Sequence, residues 1–211
     1  MSTIVVQPLR PGLRFWLWWM LATVIGVAAG MFLSFPFQFV LEAALGTEVA
    51  TPWTTTTQTL IVVFKGAEGV VMGMGMGLGQ WWVIRKYLKP MGGWVFATGL
   101  AFFLQGAFRW SLPFDILPQQ VGATITLSFG IFLGFCQWFV LRRNVRRAEW
   151  WIAINIAGWM PAFALMFAPE FGQILGMVLF AITMLVPFAV AGVGMIWLLR
   201  QTTLIQKPEG S

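Results

Sequence analysis

Gly73-Met-Gly-Met-Gly77-Leu-Gly-Gln80-Trp81-Trp-Val83-Ile-Arg85 is the stretch whose reading decides the fold of this chain. It returns 57 residues later as Gly130-Ile-Phe-Leu-Gly134-Phe-Cys-Gln137-Trp138-Phe-Val140-Leu-Arg142. A worn third copy, Gly192-Val-Gly-Met195-Ile-Trp197-Leu-Leu-Arg200, follows 58 residues after that. Each copy is apolar, notched by glycine, and closes on tryptophan and then arginine. A membrane helix has this pattern where it leaves the bilayer, with an aromatic ring at the headgroups and a cation beyond.

The rest of the chain agrees with a membrane solvent. Of its 211 residues, 59% are hydrophobic and 9% charged, against about 25% charged in a soluble domain. A mean hydropathy of +0.81 spreads that character over the whole length. The fold class expected is all-α integral membrane, as one domain over residues 1–211. Six stretches, 15–35, 61–84, 92–108, 121–141, 150–167 and 172–199, approach the ~20 apolar residues needed to cross ~30 Å of hydrocarbon. Pro161 and Pro187 mark bends in the last two.

Basic residues orient the spans. Arg10, Arg14, Arg85, Lys86, Lys89, Arg142, Arg143, Arg146, Arg147, Arg200 and Lys207 fall at one set of span ends, eleven of the 13 in the chain. Lys65 and Arg109 fall at the other, with Glu42, Glu48, Asp115 and Glu170. Both termini are therefore expected in the cytoplasm, with Arg85, Arg142, Arg143, Arg146, Arg147 and Arg200 as topology and lipid anchors. A sequence pI near 10.5 is read as contact with anionic headgroups, not nucleic acid. Trp16, Trp18, Trp19, Trp81, Trp82, Trp94, Trp138, Trp150, Trp151 and Trp197 flank the same ends and are expected as a headgroup belt. A cleaved leader is an alternative for the first span. Internal similarity favours retention: Trp19-Met-Leu-Ala22-Thr23 matches Trp94-Val-Phe-Ala97-Thr98.

These matches pair odd spans with even ones, giving three parallel hairpins over about 15–85, 92–142 and 150–200. The first carries an outer-loop insert, about 34–58, the least repetitive part and a reasonable place for specific contacts. Gly69, Gly73 and Gly77 lie four apart, as do Gly130 and Gly134, and Ala22, Gly26 and Gly30. Small residues at that spacing let helix backbones approach closely in lipid.

Polar residues inside the spans are few. Glu68 lies 17 residues before Arg85, about 25 Å along a helix and just inside the outer boundary. Lys65 sits three residues away, on the same face. Gln105 and Arg109 reach similar depths from the third span, so Lys65, Glu68, Gln105 and Arg109, with Asp115 above, are expected to cluster as a binding pocket or a charge-paired clasp. Gln80 and Gln137, each five residues before its arginine, are expected to tie helices together. Asn155 and Thr183 are weaker candidates of that kind.

No HExxH, GxSxG or Walker sequence occurs, and the chain has no histidine and one cysteine. Metal sites, haem and most intramembrane proteolysis lack ligands here, so neither an enzyme nor a cofactor is expected. The apolar grooves suit lipid, quinone or pigment alike.

The run Gly-x-x-x-Gly-x-x-Gln-Trp-x-Val-(Ile/Leu)-Arg, with Trp94 or Trp151 nine residues beyond the arginine, resembles a family of small multi-span bacterial membrane proteins with repeated segments. The likeness is best over 73–160 and implies a prokaryotic inner membrane, with no activity and no catalytic residue attached. Size and span count are also similar to the substrate-binding components of vitamin transporters, without their motifs. Two functions are expected from different classes. One is a non-catalytic accessory or assembly subunit of a larger membrane complex, such as a bioenergetic one. The other is a small-solute binder or transporter component using the Lys65/Glu68 cluster.

Overall fold

The computed structural model describes residues 11–45, 55–88, 91–112, 118–165 and 173–203. Among them every regular element is a helix: α1 Leu13–Leu45, α2 Thr55–Ile84, α3 Gly93–Ser111, α4 Pro118–Leu141, α5 Trp150–Leu165 and α6 Gln173–Thr203. Long apolar runs without polar punctuation favour helices, which satisfy their own backbone hydrogen bonds wherever water is absent. Four stretches, Leu13–Leu41, Thr56–Ile84, Gly122–Leu141 and Ala181–Gln201, have the length and apolarity to cross a membrane. The six expected spans divide accordingly. α3 is diluted by Thr98, Gln105, Arg109 and Ser111. α5, at 16 residues, reaches about 24 Å.

Each helix packs on the next in sequence, and α6 closes back onto α1. One buried cluster gathers Phe15 and Trp19 from the first turns of α1, Ile84 from the end of α2, Leu88 from the turn after it, and Trp94 from the start of α3. Leu141, Trp151 and Leu198 join it from the end of α4, the start of α5 and the end of α6. Starts and ends alternate around the ring, so neighbours run antiparallel. Arg14, Arg85, Lys86, Arg142, Arg143, Arg146, Arg147 and Arg200 surround this cluster, and all are exposed. This is the basic end. A second layer, Met76, Ala97, Ala101, Leu133 and Cys136, continues the core away from it.

The turns at the basic end are built alike. Tyr87 and Leu88 donate backbone N–H groups to Ile84 O, and Asn144 and Val145 donate theirs to Leu141 O. Leu88 and Val145 then plug into the buried cluster, so each of these two basic turns is anchored by an apolar residue. Arg147 closes the second turn at φ 60, a left-handed conformation that costs a non-glycine residue energy.

Glycines set the helix spacing. A Cβ on Gly73 would lie 2.7 Å from Thr98 O, and one on Gly69 2.6 Å from Phe102 O, so the expected glycine face of α2 lies against α3. Gly130 and Gly134 meet Asn155 and Ile152 of α5 in the same way. Ala22, Gly26 and Gly30 of α1 face a second notch on α2, formed by Gly75 and Gly79. Further on, Gly158 of α5 abuts Pro187, and Gly192 of α6 abuts Trp16 and Trp19.

The 34–58 insert differs from expectation. α1 runs on through Pro36 to Leu45, and α2 begins at Thr55. Phe37-Gln-Phe-Val-Leu41 keeps helix-compatible apolar character beyond the proline, which costs one backbone hydrogen bond and bends the helix without ending it. Glu48 and Pro52 lie outside the described residues.

Candidate functional site

Three indoles meet at the centre of the basic end. Trp19, Trp94 and Trp151 start α1, α3 and α5, and none of them is exposed to any extent. Their ring centroids are 6.4 Å apart for Trp19–Trp94, 6.3 Å for Trp19–Trp151 and 5.8 Å for Trp94–Trp151. These three were expected in a headgroup belt and are instead the axial core. The belt expectation counted proximity to the helix ends and could not tell an inward ring from an outward one. Trp18, Trp82, Trp150 and Trp197 do stand exposed on the perimeter.

A buried polar chain threads the triad. Trp94 Nε1 donates to Gln80 Oε1 at 3.0 Å, and Trp151 Nε1 donates to Gln137 Oε1 at 3.0 Å. Gln137 Nε2 donates to Gln80 Oε1 at 3.1 Å and to Thr98 Oγ1 at 2.9 Å. Thr98 Oγ1 in turn donates to Trp94 O at 2.8 Å. Gln80 and Gln137 therefore tie α2, α3, α4 and α5 in one network, a stronger form of the expected interhelical tie. Indole N–H donates only, and an amide oxygen can take two bonds, so one glutamine pair satisfies two tryptophans.

The third indole has no such partner. Trp19 Nε1 and Thr23 Oγ1 are buried without a hydrogen bond. Five residues before Arg200, where Gln80 and Gln137 precede Arg85 and Arg142, stands Met195, fully buried in the same cluster. A thioether is a weak acceptor, and leaving a buried donor unmatched costs about 1–3 kcal/mol. Asn155 and Thr183 bond carbonyls of their own helices, Trp151 O and Leu179 O, at 2.9 Å each.

The outer polar set divides into parts. Lys65 Nζ pairs with Glu68 Oε2 at 2.7 Å, with both side chains partly buried. Gln38 Nε2 of α1 donates to Glu68 Oε1 at 3.3 Å, a contact that α1's extension past the expected span end makes available. Lys65 Nζ lies 5.9 Å from the Trp110 ring centre and the Arg109 guanidinium 5.6 Å from it, so one indole bridges the two cations. Gln105 turns the other way. Its Nε2 donates to Ile125 O at 2.8 Å and its Oε1 accepts from Ser128 at 3.1 Å, both on α4. The structure thus brings Lys65, Glu68 and, through Trp110, Arg109 together; Gln105 serves the α3–α4 contact. Asp115 lies outside the described residues.

The arginines of the basic end rest on aromatic faces. Arg85 lies 4.7 Å from the Trp81 ring, and Arg142 3.9 Å from Phe139. Arg200 Nε reaches Pro11 O at 3.1 Å and straps α6 to the start of α1. Among the described residues no group of His, Cys, Asp and Glu side chains could hold a metal ion. Comparison of the chain with protein-family profiles, characterised proteins and solved structures gives no match.

Proposed function

We propose that this chain is a six-span protein of a bacterial inner membrane, built as three parallel helical hairpins with both termini cytoplasmic. We read its role as a non-catalytic accessory or assembly subunit of a larger membrane complex, such as a bioenergetic one. The observation that carries this reading is the filled axis. Trp19, Trp94 and Trp151 occupy the centre of the basic end with no exposed surface, and a polar network locks two of them. An interior packed in this way leaves recognition to the perimeter. There α1 alone presents Met31, Phe32, Leu33, Phe35 and Phe39, each more than half exposed. That surface suits acyl chains, neighbouring subunits, quinone or pigment, and no nucleic acid. The recurrence of the Trp94–Gln80 bond as Trp151–Gln137, 57 residues on, supports the hairpin repeat.

Native mass spectrometry of protein extracted gently from its own membranes, with an absorbance spectrum of the same sample, tests the reading. Stoichiometric partner subunits are the expected result. A lone protein carrying one reproducible small molecule favours the second reading, a solute binder or transporter component. What supports that alternative is the Lys65–Glu68 pair, partly buried at the end opposite the basic one, where Gln38, Trp110 and Arg109 gather around it. Under it, Glu68→Gln abolishes uptake or binding at unchanged membrane abundance. Under the accessory reading Glu68→Gln is tolerated.

A further inference from the structure

Between the start of α1 and the end of α2 lies a cleft of about 390 Å³. Its lining joins Arg14, Phe15 and Trp18 from the start of α1 to Trp82, Lys86 and Tyr87 around the end of α2. The two indoles meet edge to face at 5.5 Å and keep 43% and 40% of their surface exposed. None of the nine lining residues is acidic.

Beyond the cleft, α1 and α2 present exposed apolar side chains. Gly75 and Gly79 of α2 press onto Ala22 and Gly26 of α1, so the two backbones run in close contact. Leu21 and Ile25 follow Trp18 at helical spacing, and Leu78 sits one turn from Trp82. All three are at least half exposed. Charge at the mouth, indoles at headgroup level and an aliphatic track below are the three parts of a phospholipid in the order a lipid presents them.

We propose that this cleft holds one anionic phospholipid, its phosphate between Arg14 and Lys86 and an acyl chain along Leu21, Ile25 and Leu78. The site rests on the reading of the basic end as a membrane surface and is independent of the accessory role. Its two cations come from separate parts of the chain, Arg14 from the first turn of α1 and Lys86 from the turn after α2. Lys86 is held 4.8 Å over the Trp82 ring, which fixes it at the mouth. The neighbouring Arg85 and Arg142 lie over Trp81 and Phe139, outside the cleft lining.

The test is a lipid titration of the purified full-length protein by native mass spectrometry, with phosphatidylglycerol as probe. One tight adduct is expected, weakened about tenfold or more in the Arg14→Gln/Lys86→Gln double variant, since each basic residue near a membrane surface contributes measurably to anionic binding. The charge-preserving Arg14→Lys/Lys86→Arg protein keeps the adduct, and so does Arg142→Gln/Arg143→Gln, which removes the same charge from elsewhere on the rim. Equal weakening in that last variant would overturn the site in favour of diffuse attraction. Equally tight binding of phosphatidylcholine, or full competition by soluble glycerol phosphate, would overturn the anionic lipid as occupant. Absence of partner subunits sinks the accessory reading and leaves this result untouched.

Discussion

Where Gln80 and Gln137 each hold an indole N–H, the last helix offers Met195, and Trp19 and Thr23 stay unmatched in the core. Met and Gln differ little in length, so Met195→Gln can place an amide oxygen near Trp19 without a large change of volume. It is expected to stabilise the protein by about 1 kcal/mol, the usual net value of a buried hydrogen bond. A raised melting temperature in detergent is the readout, and a lowered one would mean that Trp19 Nε1 is out of reach. The converse change is more severe. Gln137 makes three of the network's bonds and Gln80 accepts two. Gln137→Leu is therefore expected to cost about 1–3 kcal/mol, and more than Gln80→Leu, in the same assay. The glutamines were legible as ties because their spacing to the arginines repeats. The axial tryptophans were legible only as a recurrence, since burial is not written into the letter W.

Glycine faces act at the scale of the element. The stripe at 69, 73 and 77 was readable from its spacing, and α3 does lie against it. The second stripe of α2, Gly75 and Gly79, is not separable in the sequence from the first, since both lie in one run of alternating glycines. It shows in the structure as the seat of α1. A leucine at Gly73 must displace Thr98 O and Gly99 Cα, backbone atoms that cannot swing aside. Gly73→Leu and Gly134→Leu are expected to cost ~1–3 kcal/mol or more through overpacking, seen as loss of the monodisperse peak in size-exclusion chromatography. Gly92→Ala serves as control, since its Cβ would meet nothing within 4 Å. A control as damaged as the leucine variants would remove the packing explanation. α1 also exceeds the expected span of 15–35: 33 residues remain one helix with Pro36 inside.

For the whole molecule, the decisive property is the segregation of charge between the two ends. Eight described cations surround the basic end, while the Lys65–Glu68 pair sits at the far one. Cys136, the single cysteine of the chain, is buried, so Cys136→Ala provides a clean background for labelling. On the proposed topology, with both termini cytoplasmic, an impermeant maleimide on intact cells is expected to label Ser111→Cys and to reach Glu149→Cys only after permeabilisation. Both parent residues are exposed, at opposite ends of the ring. The reverse pattern would invert the orientation and move the lipid site to the other leaflet.

The sequence alone determined the helical class, the apolar character of the helices, the gathering of most basic residues at alternate helix ends and one packing face per glycine stripe. Those properties are periodic and local, and a hydrophobic run or a four-residue spacing expresses them without knowledge of neighbours. Only the tertiary structure decided which tryptophans point inward, that Trp94 and Gln137 share the Gln80 amide oxygen, that Gln105 turns to α4 and that a cleft opens between Arg14 and Lys86. Each of these depends on the rotation of one helix about its axis relative to the next. Close contacts on both sides of the helix, chiefly at glycines, fix that rotation, and no single segment contains it.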